Sequence, residues 1–151
     1  PGLRLTLGVS SFVPKAHTPF QWQGVRPEAD KRLKLLAKRL KPKGIELRPE
    51  SYGWSVIQAL LSRSDRRLAP VIAAARGKHE SLGGWKQAYR AVREQTSGPQ
   101  SPPAWEEVIH ATWNSERVLP WAHLEGPLPP ATLERHRAEA LALTQKNGVQ
   151  A

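Results

Sequence analysis

The sequence predicts an α/β protein that is mostly helical: a short βαβ piece followed by a long helical C-terminal extension. Three observations predict it. Leu3, Leu5, Leu7 and Val9 alternate with Arg4, Thr6, Gly8 and Ser10, the period of a strand. An apolar stripe at helical spacing follows, and then a second short strand-like run. From residue 51 onward the apolar residues recur at three and four, not at two.

The first strand is expected over residues 3 to 13, stopped by Pro14. Residues 14 to 26 read as a loop. Pro27 is placed to open a helix, since its missing N–H is one that a first turn leaves unpaired. That helix runs to Lys41 with Ala29, Leu33, Leu36, Ala37 and Leu40 on one face, and Pro42 and Gly44 end it. Ile45 to Arg48 is the second strand, expected as a parallel neighbour of the first. Parallel strands need both faces covered, so two alone are not a stable sheet.

The extension opens with Ser51 as a cap for a helix over Tyr52 to Ser62. Leu68 to Ala75 is a further helix, with Pro70 tolerated in its first turn. Trp85, Ala88, Tyr89 and Val92 recur at i, i+3, i+4 and i+7, predicting a helix near 82 to 95. Thr96 to Pro103 is rich in Ser, Pro and Gly and reads as a linker, one of the two segments expected to be disordered. A short helix containing Trp105, Val108 and Ile109 follows, then an irregular stretch from 114 to 129. The last helix spans Pro130 to Lys146, with a disordered tail at 147–151. The expected organisation is thus 1–50, 51–146 and the tail.

Composition narrows the chemistry. The 151 residues contain no Cys and no Met, and they begin Pro1-Gly2, as expected of a piece of a longer protein. Without Cys there is no disulfide and no thiolate ligand or nucleophile. The five His residues lie at 17, 79, 110, 123 and 136, without the spacing that sets two imidazoles on one helical face, so no metal site is expected. No apolar run approaches the roughly 20 residues that span a bilayer. The expectation is a cytoplasmic protein with no membrane partner. The net charge of +10 suits nucleic acid, although much of the excess sits on the first helix, where a solvated face explains it.

Two segments carry candidate chemistry. In the loop, Lys15 and His17 can bind an anion or move a proton, and Phe20 and Trp22 can stack on a planar ligand. In Arg63-Ser-Asp-Arg-Arg67, the guanidiniums of Arg63, Arg66 and Arg67 can clasp a phosphate or carboxylate while Asp65 caps the next helix. Six Trp residues, at 22, 54, 85, 105, 113 and 121, read mainly as core, with Trp54 and Trp85 buried. Paired carboxylates, a Gly-rich phosphate loop and a Ser/His/Asp triad are not readable, so no catalytic residue is assigned.

The segment Phe12-Val-Pro-Lys-Ala-His-Thr-Pro-Phe-Gln-Trp22 resembles one carried by radical S-adenosylmethionine (SAM) enzymes of the cobalamin-associated subgroup. The run Ala59-Leu-Leu-Ser-Arg-Ser-Asp-Arg-Arg-Leu68 is similar to a second segment of that family, with Ser64 where Gly is common. Leu119-Pro-Trp-Ala-His123 is similar to a third, with Ala122 where an acid is often found. The resemblance implies a TIM-like partial barrel, the C-terminal end of which this chain supplies. It implies a 4Fe–4S cluster, held by a Cys-x3-Cys-x2-Cys motif, that cleaves SAM to a 5′-deoxyadenosyl radical; whether cobalamin is also used is open, since its domain would lie outside this chain. This chain lacks those Cys residues, so alone it is expected to bind none of these groups and to be inactive. Its partner would be the rest of its own barrel. By placement, Ser10, Phe12 and Val13 would approach SAM, and Pro14, Lys15, His17, Thr18, Phe20 and Trp22 would face the substrate. The alternative reading is a basic helical module that binds nucleic acid. The loop aromatics Phe20 or Trp22 are expected to stay more exposed than Trp54 or Trp85, because the facing wall would lie outside this chain.

Overall fold

A computed structural model describes residues 3–77 and 81–146. The fold is α/β and mostly helical. Strand β1 (Leu5–Val9) and strand β2 (Ile45–Pro49) form a two-stranded parallel sheet in which Leu5 faces Ile45 and Val9 faces Pro49. Helix α1 (Glu28–Leu40) joins them. The extension holds α2 (Tyr52–Arg63), α3 (Ala69–Ala75), α4 (Leu82–Gln95), α5 (Trp105–Ile109) and α6 (Pro130–Lys146).

β1 is shorter than expected. Its ladder ends where Val9 pairs with Pro49, with the Glu50 N–H donating to the Val9 carbonyl at 2.9 Å. Residues 10 to 15 continue outside the ladder. α1 begins one residue after Pro27, carries Glu28 and Asp30 in its first turn and Lys38 and Arg39 in its last, and so opposes its own dipole at both ends. Gly44 ends this unit with φ 70°, a left-handed conformation that suits glycine.

The apolar stripes of this unit find little cover. No residue of α1 is buried among the described residues. Leu5 and Leu7 of β1 are 51% and 43% exposed. The helical extension is different. Val56, Ala59 and Leu60 of α2 pack with Val71 of α3, Ala88, Tyr89 and Val92 of α4, and Val108 and Ile109 of α5. Val25 from the loop completes this core. A second, smaller core joins Trp22, Trp113, Trp121 and Leu133.

The segment 96–103, expected to be disordered, is tied down. It contains a 3-10 turn at Gly98–Gln100, Pro102 is buried, and the Tyr89 hydroxyl donates to the Pro103 carbonyl at 2.7 Å. α4 is capped by Ser81, whose Oγ accepts from the Gly84 N–H at 3.2 Å. Trp54 is a correction: it is 49% exposed, not buried. It shares an outer stripe of α2 with the exposed Gln58 and Leu61, while Val56 and Leu60 face inward. The tail at 147–151 and His79 lie outside the described residues. Among the described residues no helix is long and apolar enough to cross a membrane, and no group of three His, Cys, Asp or Glu side chains is gathered to hold a metal ion.

Candidate functional site

The loop after β1 is built from consecutive turns. The Gln21 N–H donates to the Thr18 carbonyl, and the Gln23 N–H to the Phe20 carbonyl, both at 3.0 Å. The Thr18 hydroxyl donates to the Lys15 carbonyl at 2.8 Å. The buried Gln21 side chain ties the loop together. Its Oε1 accepts from the His17 N–H at 3.0 Å and from the Trp121 indole N–H at 2.9 Å. His17 has φ 57°, uncommon for a residue with a side chain. Its ring lies where a Cβ on Gly126 would stand, so that glycine lets the loop and the 114–129 segment approach.

The far end of the loop is clamped to the C-terminal end of α5. The Val25 N–H donates to the Ile109 carbonyl at 2.8 Å, and the Trp113 N–H to the Trp22 carbonyl at 2.7 Å. The His110 Nδ1 lies 2.7 Å from the Val25 carbonyl. A Cβ on Gly24 would collide with the His110 backbone, so only glycine permits this approach.

Arg63 stands behind that clamp. It is buried at the end of α2 and donates to the carbonyls of Ile109 at 3.0 Å, Ala111 at 2.8 Å and Trp22 at 3.5 Å. Two of these lie at or just past the end of α5, where a helix leaves its carbonyls unpaired. Burial, helped by the nearby Arg117 charge, draws the guanidinium down to about 10, so it remains charged at neutral pH. It lies over one face of Trp113, 3.8 Å from the ring centre, and Arg117 lies over the same indole at 4.4 Å. Arg117 also pairs with Glu107 at 2.8 Å.

This arrangement corrects the anion clasp expected of Arg63, Arg66 and Arg67. Arg63 points inward. Arg67 is held by Asp65, which accepts from its Nε at 2.9 Å and its Nη2 at 2.6 Å and also caps the 3-10 turn Arg66–Leu68 through the Arg67 N–H. The paired Arg67 holds the Asp65 carboxyl below the usual range. Arg66 alone is exposed. Ser64 is extended at φ −91°, a conformation open to any residue, so the usual glycine is not needed there.

The loop residues separate into two sets. Trp22 is 2% exposed, closed in by Trp113, Trp121 and Leu133, so the expectation that it faces outward fails: this chain supplies its own wall. Pro14 is likewise buried. Ser10, Phe12 and Lys15 are exposed, and Val13, His17, Thr18 and Phe20 are half-buried. Lys15 and His17 form no ion pair among the described residues, and Phe12 meets Phe20 edge to face at 5.9 Å. Trp85, like Phe20, is half-buried.

Arg63, Gln21, His110 and Gly24 were not read from the sequence as structural partners. One signal was present: Val56, Leu60 and Arg63 fall at i, i+4 and i+7, so a cation occupies a core position of α2.

No family model matches the chain, and no solved structure does. It is similar to an uncharacterized protein of Methanocaldococcus jannaschii, 29% identical over 106 residues. The match covers 70% of this chain and 24% of that protein. The chain therefore spans about a quarter of the length of the relative it matches.

Proposed function

We propose that this chain is the C-terminal part of a radical SAM enzyme, with the loop 10–22 on the side where SAM and substrate meet. The observation that carries this reading is the Phe12–Trp22 segment at the C-terminal end of a parallel strand. Barrel enzymes assemble their sites at that end. The open apolar face of β1 and its paired strand also suit a sheet continued by further βα units. The relative, about three times the length of this chain, leaves room for them.

The residues present fit part of the cofactor set. Residues 10–13 run past the ladder, with backbone groups outside the sheet and the Ser11 hydroxyl buried without a partner among the described residues. Such a strand end can hold a heteroaromatic ring by backbone hydrogen bonds and by contact with Phe12 and Val13. The cluster does not fit this chain, which has no Cys. Its ligands would come from elsewhere in the parent, as would any cobalamin site. When bound, the cluster and SAM supply the radical. This chain's part is to bind, orient and exclude water.

The test is anaerobic assay of the full-length parent, reconstituted with iron and sulfide, with SAM and a reductant. 5′-Deoxyadenosine should form with the parent and not with this chain alone. A parent reading frame without a Cys-x3-Cys-x2-Cys motif sinks the reading.

A second reading, a basic module that binds nucleic acid, has one observation behind it. Lys86, Arg90 and Arg93 line a groove of α4 beside Trp105. Glu94 and Glu106 line the same groove and offset two of the three charges. Absence of RNA or DNA binding at low salt removes it.

A further inference from the structure

We propose that the recess between the strand-end loop, α1 and α6 is a binding site for a planar aromatic anion. The recess encloses about 300 Å³, the lower end of the size range for small-molecule sites. Its apolar lining is Phe12, Phe20, Ala29 and Leu141, and its charged lining is Arg26 and Arg32. Among the described residues no acidic side chain lines it.

The ring geometry points to a planar guest. Phe12 and Phe20 meet at 78°, so the two rings form a corner rather than a closed stack. Phe12 is 56% exposed. An aromatic guest in that corner removes its face from water and adds ring contacts of the edge or offset kind.

The charge points to an anion. Arg32 is exposed and forms no ion pair among the described residues, although Asp30 lies on the same helix. Asp30 is taken by Lys34 at 2.6 Å. A guanidinium at the mouth of an apolar recess suits a carboxylate, sulfonate or phosphate on the guest, which its fork can bind at two points. This site stands on the recess itself; its assignment to the substrate side rests on the radical SAM reading.

Two dyes of one shape test it: anilinonaphthalene sulfonate, which is anionic, and phenylnaphthylamine, which is neutral. Fluorescence titration of the protein should show saturable binding of both, tighter for the sulfonate. Arg32→Gln should weaken the sulfonate roughly tenfold and leave the neutral dye unchanged. Phe12→Ala should weaken both. Leu5→Thr, on the open strand, should change neither. The proposal is overturned if Arg32→Gln leaves sulfonate binding intact, if Phe12→Ala affects neither dye, or if Leu5→Thr removes as much binding as Phe12→Ala. Loss of 5′-deoxyadenosine formation in the parent with this dye pattern intact would sink the radical SAM reading and leave the site standing.

Discussion

The guanidinium carbon of Arg63 lies over the indole of Trp113, 3.8 Å from its ring centre, while its N–H groups reach three carbonyls from two distant parts of the chain. A charge is thus buried without a carboxylate, held by backbone dipoles and one aromatic face. Carbonyls at a helix C-terminus carry partial negative charge, which suits a cation.

Arg63→Ala should therefore destabilise the protein by about 3 kcal/mol or more, since it takes the charged donor from the Ala111 carbonyl and opens a void beside Trp113. Denaturant unfolding followed by tryptophan fluorescence measures it. Arg66→Ala, on an exposed side chain, should shift stability by no more than about 0.5 kcal/mol.

Gly24→Ala should cost about 1–3 kcal/mol, because the added methyl meets backbone rather than a movable side chain. The loss should appear as a lower thermal midpoint. Gly8→Ala, with nothing within 4 Å of the new methyl, provides the control.

Burial pushes the Tyr89 phenol up to about 12. An acid whose folded pKa is raised keeps its full contribution below the unfolded value, about 10, and loses it as pH rises toward 12. That contribution is roughly 2–3 kcal/mol. Arg63 works in the opposite sense: its lowered pKa makes its charge a cost that eases above about 10. Comparing wild type with Tyr89→Phe separates the two. The variant should lose about 1 kcal/mol at neutral pH with the bond to Pro103 and then fall less steeply between pH 10 and 12.

Leu5→Thr and Leu7→Thr should change the stability of this chain by less than about 1 kcal/mol, since both side chains stay largely in water. Leu60→Ala in the helical core should cost about 2–5 kcal/mol. Equal costs at the two places would mean that the face of β1 is covered in solution.

Local periodicity accounts for what could be read in advance. The stripes of α1 and α4, the parallel strands, and the stops at Pro42 and Gly44 all express signals a few residues long. The sheet's open face followed from strand number. What escaped was set by contacts across the chain. Nothing near Trp22 in sequence says that Trp121 and Leu133 will cover it. Nothing near Trp54 says that its face of α2 will be the outer one. The arginines at 63, 66 and 67 look like one cluster in sequence, but helix rotation sends the first inward and Asp65 holds the last.

The clamp between the loop and the end of α5 has a consequence for vectorial synthesis. Val25 bonds to Ile109, Trp22 to Trp113 and Gln21 to Trp121, spanning up to 100 positions. At ribosomal speeds of about 5–20 residues per second, the partners emerge on the order of ten seconds after the loop. Until then the Trp22 indole has no cavity to enter and the Gln21 amide has no indole to accept from. The segment nearest the proposed chemistry is made before the partners that hold it and takes its shape only once they emerge.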